Sequence, residues 1–182
     1  MEIFDIVDEN GEPTGETVSR EKAHAEGILH RTSHLWIFRK REGRVQILLQ
    51  KRCDGKDSFP GCYDISSAGH IPAGCGYKES AIRELKEELG TDISEEELIL
   101  CGSRMIAWDD NFHGKPYHDR QFSNVFICWI DKEETEFSLQ AEEVESVKWF
   151  DLEECVRMVK ENSFKHCIEM EEFMMVYEAA KK

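Results

Sequence analysis

The stretch Arg83-Glu84-Leu85-Lys86-Glu87-Glu88-Leu89-Gly90 constrains what this chain can fold into more than any other. At about 100° per residue, a helix places Glu87 about 60° to one side of Glu84 and Glu88 about 40° to the other. Ile82, Leu85 and Leu89 then fall on a separate stripe, with Ala81 beside it, that can pack on a sheet. Gly90 stands just past the end, where a left-handed residue closes a helix. The spacing predicts a helix from about Lys78 to Leu89, entered through a glycine-rich connection from Gly69 to Gly76. One face of that helix is apolar and the other acidic.

Like charges at these spacings cost a bare helix roughly 0.2–0.5 kcal/mol per pair. A hard divalent cation among the oxygens reverses the sign, and magnesium commonly bridges carboxylates to substrate phosphates. Such an ion polarises a phosphoryl oxygen and acidifies bound water, which suits hydrolysis of a phosphoanhydride. It also explains how a chain with a formal charge of −15 can hold an anionic substrate. Glu95-Glu96-Glu97, Glu142-Glu143 and Glu171-Glu172 are acidic as well, and each reads as a solvated face.

That charge, from 38 acidic and 23 basic residues, repels nucleic-acid backbones and anionic lipid headgroups. The longest apolar run, Val125 to Ile130, is too short to span a bilayer, and Met1 to Asp5 carries no secretory pattern. Seven widely spaced cysteines without a CxxC pair read as free thiols in a reducing compartment. A cytoplasmic location is expected. The length of 182 residues fits one domain over 1–182, with residues 1–30 as an N-terminal extension.

Alternation and turn residues predict strands over 2–7, 14–18, 31–39, 45–51, 98–107, 122–130 and 144–150. Short helices are expected over 19–25, 152–160 and 163–180, the last an amphipathic helix built on Phe164, Ile168, Phe173, Met174 and Val176. Trp108 to Gln121 reads as a long functional loop. Its Trp108, Phe112, His113, Tyr117 and His118 would form a lid, while Trp36, Phe38, Phe126 and Trp129 belong to the core.

Residues 69–91 resemble the Nudix box, G-x5-E-x7-R-E-U-x-E-E-x-G-U with U aliphatic. Gly69, Arg83, Glu84, Leu85, Glu87, Glu88 and Gly90 supply seven of its nine specified positions. The resemblance implies an α/β (α+β) fold, an α/β/α sandwich on a mixed β-sheet. It implies Glu84, Glu87 and Glu88 as ligands of Mg2+ or Mn2+, one of them doubling as the base that deprotonates water. The carbonyl of Ala68 would be a further ligand, and Arg83 would orient the carboxylates. Two positions depart: Cys75 stands where the pattern has its first glutamate, and Thr91 where it has an aliphatic residue. Cys75 therefore reads as lost support for the metal site, not as a nucleophile.

Nearly the full length resembles the isopentenyl-diphosphate-isomerase-like branch of that family. The matching pieces are Asp5 to Asp8, Leu29-His30-Arg31, Leu48 to Arg52, Phe59-Pro60-Gly61, Ser67 to His70 and Glu143 to Phe150. By the same likeness Arg52 and Lys56 would hold the diphosphate, and His24, His30 and His70 match histidines of the isomerases' other metal site. The isomerases use a cysteine and a glutamate to move protons on carbon, where this chain has Ala68 and Gln121, with Asp119 two residues earlier. They also place an arginine where Glu84 stands. The expected function is therefore metal-dependent hydrolysis of a small organic or nucleoside diphosphate derivative. Isopentenyl-diphosphate isomerisation and non-catalytic diphosphate binding are the alternatives.

Overall fold

The computed structural model describes residues 2–56, 58–112 and 114–182. A two-stranded hairpin, β1 (Ile3–Val7) and β2 (Pro13–Ser19), leads into the short helix α1 (Arg20–Glu26), whose N-cap Ser19 accepts from the Lys22 amide. The main sheet follows: β3 (His30–Arg41), β4 (Arg44–Arg52), β5 (Tyr63–Asp64) and β6 (Ser67–His70), then helix α2 (Tyr77–Leu89). Strands β7 (Ile99–Phe112), β8 (Lys115–Trp129) and β9 (Val144–Asp151) complete the sheet, and α3 (Leu152–Lys160) and α4 (Met170–Ala180) end the chain.

β3 organises this sheet. It runs parallel to β8 from His30 to Phe38, and antiparallel first to β6 at Thr32–Leu35 and then to β4 at Ile37–Arg41. Ser66 splices the change of partner: its hydroxyl accepts from the Ile37 amide at 2.8 Å and donates to the Leu48 carbonyl at 2.6 Å. Alternation along β3 sends Leu35 and Ile37 to one face, where Ala81, Leu85 and Leu89 of α2 cover them. Trp36 and Phe38 go to the other face, against Leu152, Cys155 and Val159 of α3 and Phe173 and Val176 of α4. The result is a mixed sheet between two helical layers. No helix among the described residues is long and apolar enough to cross a membrane.

Three sequence expectations are corrected. The segment Trp108 to Gln121 is no loop: Trp108↔Asp119 and Asp110↔Tyr117 are paired, and β7 and β8 form one long ribbon paired out to Phe112↔Lys115. His113 lies outside the described residues. The last helix starts at Met170 instead of Ser163, and His166 forms a β-bridge with Tyr63. Part of the glycine-rich connection is strand β6, where Gly69 and His70 pair with Ser33 and Thr32. All seven cysteines are free.

Candidate active site

The acidic face of α2 opens into a cleft of about 560 Å³. Glu84, Glu87 and Glu88 line it together with Arg83, Arg52, Lys56 and Ala68. The helix is fixed at both ends: the Glu79 carboxylate accepts from the Gly76 amide at 3.2 Å, and Gly90 closes it with φ 61°. Gly69 is required by close approach, since a Cβ there would lie 2.2 Å from Glu84 Cδ. The glycine of β6 thus makes room for the first carboxylate of α2.

The three glutamates differ in surroundings. Glu87 is exposed, and Arg83 bridges it at 3.1 Å to Glu84 at 2.7 Å while also donating to the His70 carbonyl at 3.3 Å. Burial, with Glu87 nearby, raises the pKa of Glu84 despite Arg83. Glu88 is 7% exposed and accepts from the Ser67 hydroxyl at 2.7 Å. Burial, reinforced by the charge of Glu84, pushes it up to about 7. Two carboxylates are therefore confined in a site with too little positive charge to ionise both easily, which is the condition a divalent ion relieves.

Each cation lining the cleft among the described residues already faces a carboxylate. Arg52 donates to Asp64 at 3.0 Å and to the Ser58 carbonyl at 3.0 Å; Lys56 pairs with Glu143. Arg20, unremarked in the sequence, pairs with Glu2 at 2.8 Å and lines the same cleft. Burial, followed by the charge of Arg52, lowers the pKa of Lys56. Glu142 and Glu143 also line the cleft: Glu142 is exposed, as its spacing suggests, and Glu143 is half-buried against Lys56. The hairpin contributes Trp108, Phe112 and Tyr117, with Trp108 stacked on Tyr117 at 5.3 Å.

A second cluster lies beside the cleft. The ligand atoms of His24, His30 and His70 all fall within 4.8 Å of one another. Their Nε2 atoms are buried without a hydrogen-bond partner, as is Asp119 Oδ1, which lies 3.7 Å from His24 Nε2 and 4.0 Å from His30 Nε2. The Nδ1 atoms of His24 and His30 face the carbonyls of Arg20 and Ile28 at 3.0 and 2.8 Å, leaving Nε2 as the ligand atom. Burial lowers the pKa of all three, that of His24 to about 4, so they are neutral bases at neutral pH. Burial raises Asp119 to about 6, although Gln121 donates to it at 2.7 Å. Three neutral imidazoles and a carboxylate fit a transition-metal ion.

Sequence reasoning missed Glu172. It is buried, and it accepts from His34 Nδ1 at 2.9 Å, Trp36 Nε1 at 2.8 Å and Arg104 Nη1 at 2.8 Å. Its neighbour Glu171 is exposed as expected, so the pair splits between core and surface.

Comparison with known proteins agrees with this architecture. The NUDIX domain family matches residues 29–170. Nudix hydrolase 3 of Arabidopsis thaliana is 40% identical over 156 residues, covering 84% of this chain but only 20% of that protein. An uncharacterised Nudix hydrolase of Clostridium acetobutylicum is 38% identical over 159 residues, covering 87% of this chain and 74% of its own length. The crystal structure of DR0079 from Deinococcus radiodurans superposes with a TM-score of 0.68 at 17% identity, covering 97% of this chain and 98% of that one. The NUDIX domain of Shewanella oneidensis NrtR, complexed with ADP ribose, gives 0.59 at 14% identity over 83% of this chain and 86% of that one. With a match across most of its length, a shared sandwich and a box helix facing a cleft, the chain belongs to the Nudix family.

Proposed function

We propose that this protein is a divalent-metal-dependent hydrolase of a diphosphate linkage in a small organic or nucleoside diphosphate derivative. The observation that carries the reading is the pair Glu84 and Glu88, held close and under-neutralised in an open cleft. Magnesium or manganese would sit on Glu84, Glu87, Glu88 and the Ala68 carbonyl, neutralising phosphate charge and acidifying water.

The chain's own residues do the rest. Arg83 fixes the directions of Glu84 and Glu87, and Ser67 that of Glu88. Glu88, buried at the floor of the cleft and oriented by the Ser67 hydroxyl, is the carboxylate we assign to take a proton from water. Arg52 and Lys56 exchange their present carboxylate partners for phosphate oxygens. Cytoplasmic residence fits the free thiols.

The histidine cluster supports a second ion in this reading, because its orphaned Nε2 atoms and Asp119 Oδ1 otherwise lack partners. Isomerisation of isopentenyl diphosphate is disfavoured by Ala68 and Gln121, neither of which carries an exchangeable proton of suitable acidity.

The test is phosphate release from a panel of diphosphates, ADP ribose and isopentenyl diphosphate included, with magnesium or manganese. The double variant Glu84→Gln, Glu88→Gln should lose about 10³-fold in turnover with its circular dichroism unchanged. Undiminished turnover refutes the assignment. Allylic product from isopentenyl diphosphate would favour the isomerase, and binding without turnover in both the native chain and Cys75→Glu a sensor.

A further inference from the structure

The position of α2 depends on the turn that precedes it, and residues 72–76 hold no charged side chain: they are Pro72, Ala73, Gly74, Cys75 and Gly76. Gly74 has φ 80°, and a turn with two glycines is permissive unless something holds it. What holds it comes from the N-terminal hairpin and β3. The Ala73 amide donates to the Ile3 carbonyl at 2.9 Å, and Phe4 forms a β-bridge with Pro72. Asp5 Oδ2 accepts from the Gly74 amide at 2.9 Å and from Arg31 Nη2 at 2.8 Å. The same Arg31 nitrogen donates to the Cys75 carbonyl at 3.0 Å, and the guanidinium lies over Tyr77, the first residue of α2, at 5.2 Å.

We propose that Asp5 is a positioning residue for the metal-binding carboxylates, a carboxylate supplied from the N-terminal hairpin to fix the turn at 72–76 and, through it, the register of α2 in the cleft. The proposal rests on the reading of Glu84, Glu87 and Glu88 as metal ligands. It assigns a role to a segment that precedes the matched family residues 29–170. The Asp5 and Arg31 side chains are 15% and 9% exposed, so the pair is shielded from salt and water. Arg31 Nε is buried without a hydrogen-bond partner. A carboxylate at position 75, whose carbonyl already touches Arg31, would be a second way to anchor the turn.

The experiment compares the full chain with Asp5→Ala, Asp5→Ala with Cys75→Glu, and Cys75→Glu alone. Manganese affinity is read by ligand-induced thermal shift, turnover at saturating manganese by phosphate release, and the 73–76 amides by hydrogen exchange. Asp5→Ala should weaken manganese affinity about tenfold while turnover at saturating metal falls less than about threefold. The 73–76 amides should exchange faster. Cys75→Glu should restore affinity in the Asp5→Ala background and change the native chain little. If Asp5→Ala strands the Arg31 charge and fails to fold, Asp5→Ala with Arg31→Met removes both charges and takes its place. Unchanged manganese affinity and amide exchange in the folded variant overturn the proposal, as does equal benefit from Cys75→Glu in both backgrounds. Weakened affinity with faster 73–76 exchange, but without turnover in any form, keeps the positioning role and removes the hydrolase reading.

Discussion

Glu88 and Glu172 are buried to nearly the same degree, 7% and 3% exposed, yet they ionise at opposite ends of the carboxylate range. Burial alone would raise both. At Glu172 it is overcome by the charge of His34 and by hydrogen bonds from His34, Trp36 and Arg104, which hold the acid at about 2. At Glu88 burial prevails: one hydroxyl donor and a neighbouring acid leave it at about 7. The saturated glutamate ties α4 to β3 and β7 and has no capacity left for a ligand. The under-partnered one faces the cleft and awaits positive charge. Depth does not separate the acid locked into the core from the acid facing the cleft. The supply of donors does.

The largest effect expected from this contrast is on stability. Glu172→Gln strips the charge from a buried network and leaves His34 without its carboxylate, Arg104 keeping Glu169 and Glu171, so urea denaturation should show a loss of about 3 kcal/mol. Because the Glu172 value lies below the ordinary 4.5, its stabilisation is complete above about pH 4.5 and is lost as pH falls towards 2. The variant should lack that limb of acid unfolding, and its turnover per folded molecule should hold. A native-like denaturation midpoint would break the comparison.

Glu88→Gln should act with the opposite sign and a smaller size. At pH 8 the metal-free variant should gain about 1 kcal/mol, because a reluctant charge is gone, while the manganese-induced rise in Tm shrinks to the part owed to the histidine cluster. Destabilisation of the kind expected for Glu172→Gln would place the two acids in one class. The smallest effect concerns the histidine cluster. His24→Leu, of similar volume, should keep the metal-free fold and abolish one equivalent of bound manganese, counted by isothermal titration. Retention of that equivalent would assign all metal to α2.

What was legible in the sequence was what is local. Glu84, Glu87, Glu88, Leu85, Leu89 and Gly90 lie within two helical turns, so a 3.6-residue period reveals both faces of α2 and its end. Glu172 reads as solvated because its partners His34 and Arg104 are 138 and 68 positions away in the chain. The histidine cluster draws on α1, β3 and β6, and no spacing rule joins them. The ribbon beyond Ala107 was obscured by Asp109, Asp110 and Asn111, which resemble turn residues. A signal was present: Trp108 and Phe112 keep strand parity, and Asp109 and Asn111 on the opposite face are exposed and polar.

That ribbon has a consequence for how substrate preference can change. Trp108, Phe112 and Tyr117 reach the cleft from arms locked in register, Trp108↔Asp119 and Asp110↔Tyr117. A single inserted residue in one arm would turn every later aromatic away from the cleft, whereas a pair would preserve their facing. Divergence among such proteins would thus proceed in even steps, lengthening or shortening one wall of the cleft while the acidic helix α2 stays untouched.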